Sequence, residues 1–354
     1  MVFVHGRRAL AAKIQRRGPC NKWLYRVSVV SPHPMTTDHQ LPPDDKPPVL
    51  ADFVVPSYAP DQPLKKWAPL KWAVRGGVAL LVLTVLLAAT ANFLWTRDVD
   101  ARLAALEAAT PATRPQRYDD EELKGVPPVV RRYLSQALNM NQPLVRRLYM
   151  EQTGSFNRSS TPMLEQWEPF TARQRVATKR PGFVWDAAIR MSPGITVRVV
   201  DAYVAGVGSL QPSVFGLVDV GGVEGTVDIA RGELIRYFAE SVWYPTVLLP
   251  SQGVQWKAVD EQSAQASLTD GSLTVSLLFT FGADGWVERI SSTERSALLD
   301  GAMVPMPWEV RLSAYQLQDG MRVPMEAEVA WVTPTGRWPY WRGKISKLDY
   351  DMPR

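Results

Sequence analysis

The stretch from Gly76 to Thr96, GGVALLVLTVLLAATANFLWT, contains no charged residue. A helix rises about 1.5 Å per residue, so a run of this length crosses the roughly 30 Å of hydrocarbon in a bilayer. A helix also bonds its own backbone groups, as lipid requires. Trp72 and Trp95 lie at its ends, where amphipathic rings settle among headgroups. The stretch reads as one membrane-spanning helix. A buried core helix and a cleaved signal peptide are the competing readings. The charge-free length speaks against the first, and the more than seventy preceding residues against the second.

Lys65, Lys66, Lys71 and Arg75 crowd the N-terminal flank, while Arg97 and Arg102 on the other side are interleaved with Asp98 and Asp100. Positive flanks stay inside. The expectation is a single-pass plasma-membrane protein with a cytoplasmic N-terminus and an extracytoplasmic body, and with the lipid bilayer as its first partner. Residues 1–75 form a largely disordered, proline-rich cytoplasmic tail in this reading, since prolines at ten positions between Pro32 and Pro69 oppose helix and sheet. Residues 76–96 span the membrane, 97–125 form a helical or linker segment, and 126–354 form the extracytoplasmic domain.

The formal charge is +5, and much of the excess sits in the tail at Arg7, Arg8, Lys13, Arg16, Arg17, Lys22 and Arg26. The body lacks the interleaved basic and aromatic residues of a nucleic-acid groove, so no nucleic-acid partner is expected. Cys20 is the only cysteine, and His5, His33 and His39 all precede the apolar run. The body therefore has no disulfide, no Ser-His-Asp or Cys-His arrangement and none of the usual zinc ligands. No cofactor and no metal are expected.

Beyond Pro127–Pro128, Val129 to Leu138 recurs at helical spacing. The period then changes. Phe183, Trp185, Ala187, Ile189 and Met191 alternate with more polar residues, as a strand with one inward face does. Pro193–Gly194 turns the chain into Ile195–Tyr203, and Leu148–Phe156 and Phe170–Ala177 are earlier neighbours. Ala230–Trp243 reads as a helix capped by Asp228. Leu234, Ile235, Phe238, Ala239 and Val242 lie on one side, with Glu233, Arg236 and Glu240 mainly on the other. A meander follows through 254–259, 265–269, 273–281, 286–292, 308–315, 321–331 and 341–350. Asp270–Gly271 is a two-residue hairpin signal within it. The expected class is α+β: a curved antiparallel sheet, a half-barrel or incomplete barrel, closed by helices and preceded by one transmembrane helix. A fully closed small barrel is the alternative.

Carboxylates supply the only acid-base chemistry in the body. Glu240 precedes Trp243 and Tyr244, Glu309 follows Trp308, and Glu326 and Glu328 share a strand face. A carboxylate pair beside aromatics is a hydrolase layout, but alternation sends Glu326 and Glu328 to solvent while Met325, Ala327, Val329 and Trp331 turn inward. No catalytic residue is assigned. Aromatics are the better signal. Trp185, Phe238, Trp243, Tyr244, Phe279 and Trp308 are candidate walls of an apolar site, with Trp338 and Tyr340 at its mouth.

The string RYFAESVWYPTVLLPSQGVQWKAVDEQSAQASLTDG (236–271) resembles a large family of uncharacterised bacterial proteins. Pro181-Gly-Phe-Val-Trp-Asp186, Pro307-Trp-Glu309, Asp319-Gly-Met-Arg-Val-Pro324 and Pro339-Tyr-Trp-Arg-Gly343 resemble the same family. The resemblance covers about 126–350. It implies an outline similar to the half-barrels of periplasmic lipid and lipoprotein carriers, with no activity to carry over. The expected function is binding of an apolar ligand, a lipid or acylated peptide, by an anchored envelope domain. A non-catalytic scaffold for an envelope protein and a carboxylate-dependent hydrolase are the alternatives.

Overall fold

The computed structural model describes residues 68–112, 114, 116–159, 164–299 and 302–352. The basic N-terminal segment, most of the proline-rich stretch, Cys20 and the three histidines lie outside them. Three α-helices run over Ala68–Ala109 (α1), Pro128–Ala137 (α2) and Val227–Glu240 (α3). The first eight strands are Arg147–Asn157 (β1), Trp167–Ala177 (β2), Gly182–Ser192 (β3), Ile195–Val204 (β4), Val207–Val214 (β5), Val218–Asp219 (β6), Val223–Glu224 (β7) and Gln255–Ala258 (β8). Then come Ser263–Asp270 (β9), Leu273–Phe281 (β10), Val287–Ser292 (β11), Ser296–Leu299 (β12), Ala302–Pro305 (β13), Trp308–Gln318 (β14), Met321–Thr333 (β15) and Gly336–Asp351 (β16).

Antiparallel pairing builds one sheet in the order β6-β5-β4-β3-β2-β1-β16-β15-β14-β11-β10-β9-β8, with β7 also on β5. β12 and β13 form a separate ribbon. The last strand pairs with the first, which joins the two meanders, while β6 and β8 remain as free ends. The sheet is therefore open, and the closed-barrel alternative is excluded. Register shifts in β1, β3, β10 and β15–β16 add local twist and bend the sheet.

Helix α3 fills the concave side. It touches β3, β4 and β5 on one flank and β10 and the β12–β13 ribbon on the other. Its cap is Thr226, whose hydroxyl accepts from the Ile229 N–H at 3.3 Å; Asp228 sits in the first turn and is not the cap. The helix ends at Glu240, and a tighter turn, Ser241–Trp243, takes over. The larger correction concerns its polar side. Glu233 is only 3% exposed, and both sides of α3 are covered because the sheet curls around it.

Helix α1 begins at Ala68, so Pro69 opens a helix, where its missing N–H is no loss. It continues past the apolar run to Ala109, through the first part of the 97–125 helical or linker segment. Trp95, Val99 and Leu106 pack on Ala177, Val184, Val200 and Ala202, the outward residues of β2–β4. The sheet is thus covered on both faces at Ala177, Val184, Val200 and Ala202, while the outward Thr171, Arg173 and Arg175 of β2 stay exposed. Trp95 Nε1 donates to Asp186 at 2.9 Å, and Arg102 donates to Ser209 at 2.8 Å and Gln211 at 2.5 Å. The β9–β10 turn is centred on Gly271–Ser272, with Gly271 at φ +60° and Asp270 paired with Leu273. Asp270 is free to accept from the Tyr203 hydroxyl at 2.8 Å.

Gly208 lets α3 sit close. A Cβ there would lie 2.7 Å from the backbone N and Cα of Ala230. Gly208→Ala is expected to destabilise the body by about 1–3 kcal/mol, as overpacking does. Gly125→Ala, where a Cβ meets nothing within 4 Å, is the control. Equal urea midpoints for the two variants would contradict this packing.

Candidate functional site

Between α3 and the concave face lies a cavity of about 90 Å³. That is the volume of about three waters, each with a share of roughly 30 Å³ in the liquid. Ile189, Val199 and Leu210 line it from β3–β5, and Val310, Leu312, Ala327 and Val329 from β14 and β15. Four of the aromatics named from the sequence also line it: Trp185, Trp243, Trp308 and Tyr340. The other four do not. Phe238, Tyr244 and Phe279 are core: Phe238 packs edge-on to Phe279, and Tyr244 donates to Tyr237 O at 2.7 Å. Trp338 pairs across the sheet with Trp331 and is buried away from the lining. The lining residues from this segment are Tyr340 and Trp341, together with Phe156.

A cluster of charges inside the apolar wall was not foreseen. Arg236 pairs with Asp201 and, through Nε, with Glu240 at 2.8 Å. Its guanidinium lies over the rings of Phe183 and Trp185, 4.9 and 4.8 Å from their centroids. Gln174 donates to the second oxygen of Glu240 at 2.5 Å. Arg295 donates to Gly232 O at 2.6 Å, approaches Glu233 at 3.8 Å and covers Trp308 at 4.9 Å. Trp308 in turn donates to the Tyr340 hydroxyl at 2.9 Å. Arg295 stands between β11 and β12, and its side chain is buried.

Burial sets the protonation. Asp201 Oδ1 and Glu233 Oε2 are buried without a donor. Desolvation, reinforced by the Asp201 charge, pushes Glu233 up to about 8 from its usual 4.5. A proton held on Glu233 lets that carboxyl donate to Asp201. With Glu233 neutral, two arginines face two carboxylates and the cluster carries no net charge. Arg236 loses from desolvation, but Glu240 and Asp201 outweigh it and hold the guanidinium more firmly charged than usual. The site offers an apolar wall with hydrogen-bond donors and acceptors set in it.

The paired-carboxylate reading of Glu240 and Glu309 fails on geometry. Glu240 lines the cavity, whereas Trp308 and Val310 point inward and place Glu309 on the opposite face, paired with Arg311 and Arg337. Glu326 and Glu328 also lie outside, bridged to Lys344 and to Arg337 and Arg342. Among the described residues no three His, Cys, Asp or Glu side chains gather as a metal-holding group.

The missed residues had a faint signal. Glu233, Arg236 and Glu240 share one helix face at i, i+3 and i+7, which usually marks a solvated stripe. Asp201 interrupts the apolar strand Val199-Val200-Asp201-Ala202, and nothing in the sequence ties it to Arg236.

An open, curved antiparallel sheet around a central helix, with one helix among the described residues long and apolar enough to cross a membrane, defines the class of this protein. The chain belongs to the family of unknown function DUF6920, which matches residues 124–350. A comparison with curated proteins returns no match. Among solved structures it is similar to a DUF1329 family protein from Desulfovibrio piger, at 12% identity and TM-score 0.32, over 58% of this chain and 86% of that one. A LolA superfamily protein from Nitrosomonas europaea matches at 9% identity and TM-score 0.29, over 71% and 94%. A beta-barrel-like DUF1849 protein from Brucella abortus matches at 12% identity and TM-score 0.22, over 59% and 98%. These sequences are too distant to transfer a ligand or an activity.

Two outcomes check the cluster. Arg236→Leu is expected to destabilise by about 3–5 kcal/mol, because it strands buried carboxylates; adding Asp201→Asn and Glu240→Gln restores part of the loss. The Glu233 carboxyl keeps its proton in the folded state up to about pH 8, while the unfolded chain releases it near 4.5. The folded state therefore binds more protons between these values, and this group lowers stability as pH rises across that window. Glu233→Gln should flatten that part of a stability-against-pH profile, and parallel profiles would refute the shared proton.

Proposed function

We propose that this protein is anchored in the plasma membrane by Gly76–Thr96 and that its extracytoplasmic domain binds an amphiphile. The apolar chain enters between α3 and the concave sheet, and the polar end meets the Asp201–Arg236–Glu233–Arg295 cluster. The observation that carries this reading is the cavity itself, an aliphatic and aromatic lining with buried donors and acceptors at one side. Charges enclosed beside an unfilled apolar space cost desolvation that a core does not need, and a binding site uses them. At about 90 Å³ the cavity is smaller than ordinary ligand sites, which run to roughly 300–1,000 Å³. Binding therefore displaces side chains at its half-buried rim, where Phe156, Val329 and Trp341 stand. The exposed helix surface from Leu70 to Thr90 and the basic flank at Lys71 and Arg75 support the anchor and its orientation.

The test uses the full chain in detergent and an environment-sensitive apolar dye, 1-N-phenylnaphthylamine. Dye fluorescence should rise on binding and fall when extracted membrane phospholipid is added. Ala239→Phe and Ala327→Phe, which fill the cavity from its two sides, should each lower dye affinity by tenfold or more, an amount equal to about 1.4 kcal/mol. Unchanged binding in both variants would overturn the assignment of the site. The orientation has its own readout. An alkaline phosphatase fused after Arg354 should be active, and an inactive fusion beside a fluorescent cytosolic reporter would place the body inside the cell.

A further inference from the structure

The body covers α1 only from Ala91 onward; every residue from Leu70 to Thr90 is exposed. The charge-free run starts at Gly76. Gly76 to Thr90 therefore supplies about 22 Å of apolar helix, short of the roughly 30 Å that hydrocarbon requires. The remaining depth falls on Ala91 to Thr96, where the body is already packed. Any part of the body lying beside that segment lies at the depth of lipid.

The turn between β5 and β6 lies there. Gly216 abuts Trp95, so close that a Cβ on it would stand 3.4 Å from Trp95 Cβ. The turn joins the neighbouring β3–β4 tip through Phe215 N–H donating to Thr196 O at 3.0 Å. The side chains at this end are apolar and uncovered. Phe215 is 50% exposed, Leu217 47%, Val218 61% and Ile195 45%. Phe215 also holds a left-handed backbone, φ +56°, which disfavours a bulky residue by about 1–2 kcal/mol. Burial within the chain does not offset that strain, since the ring points outward. Arg198, paired with Asp186 at 3.5 Å, lies over the Trp95 ring at 4.8 Å and donates to Asn92 at 3.2 Å, so its charge is partnered within the chain.

We propose that the tip formed by Ile195 and Phe215–Val218 inserts into the leaflet at the C-terminal end of the α1 span, giving the body a second membrane contact. The inference rests on reading α1 as a span. Two attachments fix the tilt of the sheet against the bilayer, where one helix alone would let the body swivel. The occupant is lipid because the apolar tip continues the exposed apolar surface of α1, which includes Phe93 and Leu94.

The experiment places an NBD dye on single cysteines in full-length protein carrying Cys20→Ser. The sites are Leu217→Cys at the tip, Leu87→Cys in the span and Glu261→Cys in the β8–β9 turn. The protein is reconstituted into phosphatidylethanolamine–phosphatidylglycerol vesicles containing nitroxide lipids. Quenching at Leu217 and Leu87 should exceed that at Glu261 several-fold, with Leu217 responding most to the shallow nitroxide. Phe215→Ser should reduce quenching of a dye at Ile195→Cys. Strong quenching at Leu87 with Leu217 no more quenched than Glu261 overturns the proposal and leaves the span standing. No quenching at Leu87 removes the span and the proposal together. Self-crosslinking through Leu217→Cys without lipid quenching assigns the tip to contact between copies, and also overturns it.

Discussion

A single open sheet cannot cover its own concave face, and here the whole fold follows from how that face is covered. α3 enters the hollow and is surrounded. A helix with one apolar side suffices at a surface, but a helix enclosed by a sheet must account for every side chain it carries. The apolar side of α3 joins the core through Leu234, Ile235 and Phe238. Its charged side is largely screened from water, so partners come from the sheet and the neighbouring turn: Asp201 from β4, Gln174 from β2 and Arg295 from the segment before β12. The positions of these strands around α3 and the positions of the charges are one constraint.

Such a cluster is a poor means of stabilising a fold, since desolvation of each ion competes with the attraction between them. Its placement beside an unfilled apolar space gives it another sense. The arginines are braced on aromatic faces, and Glu233 and Asp201 meet through a shared proton. In the proposed function this arrangement would set where the polar end of an amphiphile lies, while leaving the apolar wall indifferent to chain chemistry. The proton on Glu233 keeps the group neutral, so under the proposed function a neutral or zwitterionic head would enter without importing an unbalanced charge.

α1 has two unlike halves. From Gly76 to Thr90 it is exposed and uncharged; beyond that, buried residues recur at Ala91, Trp95 and Val99 and the helix lies along the outer face of β2–β4. The second half explains why Val184, Val200 and Ala202 are apolar on what would otherwise be a wet face. The apolar run and the part of α1 packed on the sheet are one continuous helix, with side-chain hydrogen bonds to the sheet at Trp95 and Arg102.

Much of this was legible in one dimension. Alternation in Phe183–Met191 and Leu273–Phe281 set strand faces, proline and glycine set the turns, and the uncharged run set the long helix, because each of these signals is local and acts through backbone sterics or solvation. Half of the eight aromatics proposed as a site line the cavity, since strand parity decides which face a ring takes but not which layer it ends in. The charges of α3 were misplaced for a different reason. A helical stripe of Glu, Arg and Glu looks the same whether water or a curved sheet lies opposite. Only the closing of β3–β5 and β10 around that helix brings Asp201 to Arg236, 35 positions away. The sequence determined the elements and their apolar faces; the tertiary structure alone decided which polar groups are denied water, because burial belongs to the assembled surfaces and not to any segment.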